Sequence, residues 1–160
     1  MLNKLNDTIV AVSTARGKSA IGIIRMSGDN ALYICSVVIK KKLLAREKYY
    51  TIFYNNTNLP IDKGIVLIFK KPYSYTGENL VEFHTHGNDL ILNALLNRLV
   101  FLGARVAEAG EFSFRAYLNN RIDLLQAESI NTLINAKTVK NNDVLLNTIA
   151  GELSSKIKNI

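Results

Sequence analysis

The sequence predicts an α+β fold, in which a mixed β-sheet with helices is followed by the first helices of an all-α region. Short β-branched runs alternate with helical patterns through the first two thirds of the chain, whereas roughly the last forty residues show helical periodicity alone. The 160 residues are 48% apolar and 21% charged, the balance of an ordinary folded chain. A chain of this length buries roughly 68–70% of its unfolded surface. Together these observations exclude a disordered polypeptide.

Hydrophobic spacing predicts six strands and two helices in the first part of the chain. The strands are expected at β-branched or alternating runs, which occupy residues 8–12, 20–26, 49–54, 65–69, 80–86 and 105–107. The first helix is expected after residues 27–29, and Cys35 lies on its apolar face as a packing residue. The second helix follows residues 87–89, which can cap it, and Gly103 ends it.

The C-terminal part is predicted to be helical, with residues 119–123 as a loop between two helical segments. Asp123 stands at a cap position and Gln126 three positions on, an arrangement in which each side chain bonds to the other residue's backbone N–H. Apolar residues then recur at helical spacing as far as Ile157 without a proline. Because so long an apolar stripe needs partners, we expect a first domain over residues 1–119 and, over residues 120–160, the start of a helical domain that continues beyond this chain.

The balance of charge is basic. Twenty Lys and Arg against 13 Asp and Glu give a net charge of +7, which attracts polyanions such as RNA. One local patch has an excess of basic residues around a single Glu47, and its basic members are Lys40, Lys41, Lys42, Arg46 and Lys48. We favour a solvated loop as the interpretation of this patch, and a phosphate-binding surface is the alternative.

The chain is expected to be cytoplasmic, without a membrane segment or a metal site. No apolar run approaches the roughly 20 residues of a membrane helix, and the N-terminus is too short and polar for a secretory signal. A single cysteine forms no internal disulfide, which fits a reducing compartment. Two histidines and one cysteine also fall short of the four ligands of a structural zinc site.

One segment, Arg16-Gly17-Lys18-Ser19, is similar to the end of a phosphate-binding loop. The complete pattern needs a glycine at position 12, where this chain has Val12, and the loop must open a helix. Ser19 leads instead into a predicted strand. We therefore predict no nucleotide site in this chain.

The most distinctive polar side chains lie on one predicted strand, where Glu82, His84 and His86 alternate with other residues. Three interpretations fit this pattern: a metal site, the wet face of an edge strand, and a site for an organic ligand. A carboxylate such as Glu82 can accept hydrogen bonds from a heterocycle that presents a ring N–H beside an amino group. The planar guanidinium groups of Arg25 and Arg121 are suited to a carboxylated or phosphorylated ligand.

Several segments together resemble the N-terminal domain of the MnmE (TrmE) family of tRNA-modification GTPases. The most specific is the run Ala-Gly-Glu-Phe-Ser-Phe-Arg-Ala-Tyr-Leu-Asn-Asn-Arg-Ile-Asp-Leu at residues 109–124. The other matching segments are residues 7–11, 22–28, 73–78, 81–87, 103–105 and 126–128. The resemblance covers essentially the whole chain in register.

The resemblance implies a folate-binding domain related to those of aminomethyltransferases, followed by the first helices of the family's central helical domain. In the family this N-terminal domain binds a tetrahydrofolate derivative (5-formyl- or methylene-tetrahydrofolate) and forms a homodimer. The complete proteins act with the flavoprotein MnmG (GidA) to add an aminomethyl-type group to C5 of the wobble uridine of certain tRNAs. Their separate GTPase domain hydrolyses GTP with potassium and magnesium. We therefore expect enzyme activity of the full-length protein only, with no catalytic residue in this chain.

The resemblance also implies which residues contact the folate. The family's contacts fall on Arg25, on Glu82, which binds the pterin, and on Arg121. Arg121 stands where the family usually has lysine, which keeps the charge but changes the geometry. The loop at residues 14–18 and the segment at residues 86–88 also depart from the family pattern. Two other functions remain as alternatives: an RNA-docking module without a small ligand, and a stand-alone folate aminomethyltransferase, which needs further domains.

Overall fold

The computed structural model describes residues 7–43, 48–135 and 148, which belong to two compact units divided between Ala109 and Gly110. Among the described residues, the first unit has a six-stranded sheet and two helices, and the second has two helices between residues 110 and 135. No helix in these parts of the chain is long and apolar enough to cross a membrane. The domain boundary predicted after residue 119 stays a prediction.

The first unit has two helices interspersed among its strands, the first after two strands and the second after three more. In chain order they are β1 (Ile9–Val12), β2 (Ser19–Ser27), α1 (Ala31–Ile39), β3 (Lys48–Tyr54), β4 (Pro60–Phe69), β5 (Leu80–Gly87), α2 (Asp89–Phe101) and β6 (Arg105–Val106). The strand order in the sheet is β3-β4-β5-β2-β1-β6. Neighbouring strands are antiparallel except for β1 and β6, which are parallel. The predicted α+β fold with a mixed sheet is therefore confirmed.

Strand β4 begins five residues earlier than the sequence pattern predicts. Its first half contains the charged residues Asp62 and Lys63, which precede the apolar run that the prediction relied on. These residues nevertheless pair with Ile52 and Phe53 of β3. Pairing with a neighbouring strand outweighs the weak local preference of polar residues for β structure.

The hydrophobic core lies on one face of the sheet, beneath α1 and α2. Alternate strand residues point into it, and together with the helices they form one buried cluster that includes Ile24, Met26, Val66, Ile68, Val81, Phe83, Ile34, Val38, Leu95 and Leu99. The rings of Phe53 and Phe83 meet edge to face, with centroids 5.6 Å apart. Because successive residues of a strand point to opposite faces, the neighbours Arg25, Glu82 and His84 lie on the other face, which we call the open face.

The helix ends follow the local signals. The Asn88 side chain accepts a hydrogen bond from the Leu90 N–H at 2.8 Å and caps α2. In the second unit, α3 (Glu111–Leu118) and α4 (Leu124–Asn135) flank the predicted loop. The Asp123 carboxylate accepts from the Gln126 N–H, and the Gln126 amide oxygen accepts from the Asp123 N–H, both at 2.9 Å. The predicted reciprocal cap of α4 is confirmed.

Gly64 marks a close approach of β4 to β5. A Cβ at this position would collide with the carbonyl oxygen of His84 and lie 3.2 Å from the Phe53 ring. Backbone atoms of a paired strand cannot move aside as a side chain can. Only glycine therefore fits at this point of the sheet.

Gly64→Ala is expected to lower the free energy of unfolding by about 1–3 kcal/mol or more, measured by urea denaturation, because the added methyl forces β4 away from β5. Gly22→Ala is the matched control. Its Cβ would lie 2.9 Å from the end of the Leu92 side chain and 3.2 Å from the Gly87 Cα, contacts much less severe than the backbone collision at Gly64, and so it should destabilise the protein less. Equal losses for the two variants would show that the β4–β5 approach is not a constraint.

Candidate ligand-binding site

Arg25 and Glu82 form an ion pair at the centre of the open face. The register of β2 against β5 makes them direct cross-strand partners. Arg25 Nε and Nη2 lie 2.9 Å and 2.8 Å from the same oxygen, Glu82 Oε1. The Arg25 side chain is 30% exposed and that of Glu82 only 14%. The guanidinium thus compensates a carboxylate that is largely removed from water.

The second oxygen of Glu82 faces His84. Glu82 Oε2 lies 3.3 Å from His84 Nε2, a long contact between residues two positions apart on the same strand. The alternation predicted for this strand therefore brings Glu82 and His84 together on one face. Arg25 therefore holds one oxygen of the Glu82 carboxylate closely, and His84 lies beside the other.

Apolar side chains surround this polar centre. Leu67 and Ile65 of β4 are the cross-strand partners of Glu82 and His84, and Ile65 is 42% exposed. The centroid of the Tyr75 ring lies 5.3 Å from Cζ of the Arg25 guanidinium, within the range of a cation–π contact. A few polar groups within an apolar rim are the usual composition of a site for an organic ligand.

A hydrogen-bond network holds the Tyr75 segment beside β2. Ser27 Oγ donates to Glu78 Oε2 at 2.7 Å and lies 2.6 Å from Thr76 Oγ1. Ser74 Oγ donates to the Glu78 backbone carbonyl at 2.6 Å. Ser27 lies two residues from Arg25 on the same strand, so this network fixes the turn next to the ion pair. Sequence reasoning missed this support, although residues 73–78 are among the segments that carry the family resemblance.

His86 belongs to a different pair. Its Nδ1 lies 2.9 Å from Asp62 Oδ1, and its backbone N–H donates to Asp62 Oδ2, also at 2.9 Å. The His86 side chain is 68% exposed. Among the described residues, no group of three or more His, Cys, Asp and Glu is placed to hold a metal ion. Of the three interpretations of this strand, the geometry favours the site for an organic ligand.

Arg121 lies in the second unit, between α3 and α4. Its side chain is exposed, and its backbone N–H donates to the Ala116 carbonyl at 2.8 Å. The structure thus brings together two of the three predicted site residues, Arg25 and Glu82. The role of Arg121 stays a prediction.

Two other predictions concern residues outside this site. Cys35 is fully buried in the core, and burial raises the pKa of its thiol to about 12. The residue therefore packs against the core, as predicted, and does not act as a nucleophile.

Ser19 begins the strand β2 and does not open a helix, as predicted for a segment that is not a phosphate-binding loop. Of the basic patch, Arg46 and Glu47 lie outside the described residues.

Burial of Asp62 raises the pKa of its carboxyl, but hydrogen bonds from the His86 backbone and ring and from the Lys63 backbone outweigh burial and lower it below 3.8. The carboxylate therefore stabilises the fold above about pH 4, and this contribution is lost as the pH falls through the folded-state pKa. Asp62→Asn should flatten the decline in the free energy of unfolding as the pH falls below about 4.

Urea denaturation at several pH values measures this decline. Asp29→Asn is the control, because the Asp29 side chain is 70% exposed and its pair with Lys71 is screened by solvent. An Asp62→Asn curve parallel to that of the parent chain would contradict the assignment.

Comparison with known proteins identifies the family. The family model described as "GTP-binding protein TrmE N-terminus" matches residues 8–121. The tRNA modification GTPase MnmE of Buchnera aphidicola subsp. Cinara cedri is 46% identical over 158 residues, which are 98% of this chain and 35% of that relative. The proteins of the same name from Francisella tularensis subsp. holarctica (strain OSU18) and subsp. novicida (strain U112) are each 45% identical over 154 residues, 96% of this chain and 34% of theirs. The chain spans about a third of the length of these curated relatives, and it belongs to the TrmE N-terminal family.

Proposed function

We propose that this chain is the tetrahydrofolate-binding part of a tRNA-modifying GTPase. The Arg25–Glu82 pair carries the proposal, because it presents a partly buried, charge-compensated carboxylate on the open face. Membership of the TrmE N-terminal family supports it, since the relatives are named tRNA modification GTPases.

Glu82 suits the pterin end of a folate. A pterin presents a ring N–H beside an exocyclic amino group, and a carboxylate accepts both in a paired, charge-assisted geometry. The contact of Glu82 Oε2 with His84 is long, 3.3 Å, so a ligand N–H can replace it. The apolar side chains of Ile65 and Leu67 beside Glu82 suit the flat face of a heterocycle.

Arg25 orients the carboxylate and Tyr75 supports Arg25. With both Arg25 donors on Oε1, that oxygen of Glu82 is held in place before any ligand binds. Arg121 is assigned to the ligand by the family resemblance alone, as a fork for a carboxylate of the folate. A bound tetrahydrofolate would supply a one-carbon unit. The residues of this chain bind and orient it.

The activity belongs to the full-length protein in this proposal. That protein hydrolyses GTP in a separate domain that uses potassium and magnesium, and with the flavoprotein MnmG it adds an aminomethyl-type group to C5 of the wobble uridine of tRNA. This chain supplies the folate site and the homodimer contact, in the cytoplasm. The names of the relatives, tRNA modification GTPases, support the tRNA-modifying and GTP-hydrolysing parts of the proposal.

Calorimetric titration with 5-formyltetrahydrofolate tests the site. Glu82→Gln removes one acceptor and sets an amide N–H₂ against a ligand donor, and a loss of this kind at a desolvated site costs about 2–4 kcal/mol, or roughly 30- to 1000-fold in affinity. Arg25→Ala should also weaken binding, because Glu82 then loses the group that orients it.

Lys41→Ala is the control, since Lys41 follows α1 on the other side of the sheet and should leave the affinity unchanged. Circular dichroism establishes that each variant is folded. If Glu82→Gln binds like the parent chain, the site is wrongly placed. If the parent chain binds no folate but binds tRNA, the alternative of an RNA-docking module without a small ligand takes its place.

A further inference from the structure

Four lysines converge on one pocket on the helix-covered side of the sheet. The pocket has a volume of about 520 Å³ and lies between the end of α1 and the end of β4. Lys40, Lys41 and Lys42 follow α1, and Lys70 follows β4. We call this cavity, defined by these four lysines, the lysine pocket. It is separate from the Arg25–Glu82 pair, which lies on the open face.

The lysine pocket is strongly electropositive. None of the described residues that line it is acidic. The neighbouring Lys71 differs, because its ammonium group pairs with Asp29 at 3.2 Å. Ammonium groups gathered around one cavity repel one another, and an anion in the cavity relieves that repulsion. The lysine pocket is therefore suited to phosphate groups.

Aromatic side chains accompany these charges. Tyr33 of α1 lines the same pocket and is 66% exposed, so its ring is accessible to a ligand in the pocket. The Lys40 ammonium lies 4.1 Å from the centroid of the Tyr54 ring, and this contact holds Lys40 in place. Proteins that bind single-stranded nucleic acids use this combination, in which cations follow the phosphates and a base stacks on an exposed ring.

The end of α1 arranges the lysines. Lys40 has a left-handed backbone, with φ of 52°, and its N–H bonds back to the Ser36 carbonyl. The Lys41 N–H bonds to the same carbonyl at 3.2 Å. The chain thus turns sharply at the helix end, and three consecutive lysines line one cavity instead of continuing along the helix.

We propose that the lysine pocket binds the phosphate backbone of a single-stranded loop of tRNA, with one base stacked on Tyr33. The choice of tRNA as the partner rests on the proposed function. The surface itself rests on the charges, the exposed ring and the absence of a carboxylate among its described lining residues. Folate and RNA then occupy opposite sides of one sheet.

The salt dependence of tRNA binding tests this surface. The triple variant Lys41→Ala, Lys42→Ala and Lys70→Ala removes three phosphate contacts, each worth about 0.7 in the slope of log affinity against log salt for a single strand. The slope should therefore fall by about 2, and the affinity at about 0.1 M salt should fall by roughly 100-fold. Lys40 remains in this variant, so its contact with Tyr54 is preserved.

A second triple variant, Arg16→Ala, Lys18→Ala and Lys63→Ala, removes the same charge from exposed positions outside the pocket. It should change the affinity much less. Tyr33→Ala should weaken binding by about tenfold or more, and Tyr33→Phe should retain it, because stacking needs the ring and not the hydroxyl. Equal losses for the two triple variants would overturn the proposal, since total charge alone would then explain binding. Absence of tRNA binding by the parent chain, or lysine-dependent binding to anionic vesicles in its place, would also overturn it.

Folate titrations of the same proteins separate this proposal from the proposed function. The lysine variants should bind 5-formyltetrahydrofolate like the parent chain, and Glu82→Gln should bind tRNA like the parent chain. If folate binds and tRNA does not, only the lysine pocket is wrongly assigned. If tRNA binds through the lysines and folate does not bind, the folate site fails and the RNA surface stands.

Discussion

The pairing of β2 with β5 is the constraint on which the site depends. It sets Arg25 opposite Glu82, two residues that are 57 positions apart in the chain. A slip of one residue would turn every side chain of one strand to the wrong face. The buried partners Ile24 and Phe83 oppose such a slip, because they would leave the core. Packing on one face of the sheet therefore positions the ion pair on the other.

The same sheet separates two kinds of surface. At the centre of the open face the Glu82 carboxylate is compensated by Arg25 and has the apolar Leu67 as its neighbour on β4, which suits a flat heterocycle with donors on its edge. The helix-covered side has four lysines around an exposed ring, with no acidic residue among the described residues that line the pocket, and this suits phosphates and bases. These chemistries would interfere at one site, since lysines near Glu82 would bind its carboxylate. The six-stranded sheet lies between the two surfaces and keeps the lysines away from Glu82.

Sequence reasoning succeeded where the determining contacts are local. The alternation in β5, the cap of α2 by Asn88 and the reciprocal cap at Asp123 all depend on residues within a few positions. It failed where contacts are distant. The start of β4 at Pro60 depends on pairing with β3, and the sequence pattern did not indicate that His86 pairs with Asp62, 24 residues away. The family resemblance implied Arg25 and Glu82 as two separate folate contacts. The strand register and the short distance between their side chains show that they also bind each other.

The most direct test of the folate site is a titration of the ¹⁵N-labelled chain with 5-formyltetrahydrofolate, in which NMR monitors the chemical shifts of the backbone amides. We expect the largest shift changes in β2 and β5, around Arg25, Glu82 and His84, and in the turn that contains Tyr75. The amides of α1 and of residues 40–43 should change little. Changes concentrated at α1 and the lysine pocket, with β2 and β5 unaffected, would contradict this assignment. That result would place the folate on the helix-covered side of the sheet and not on the open face.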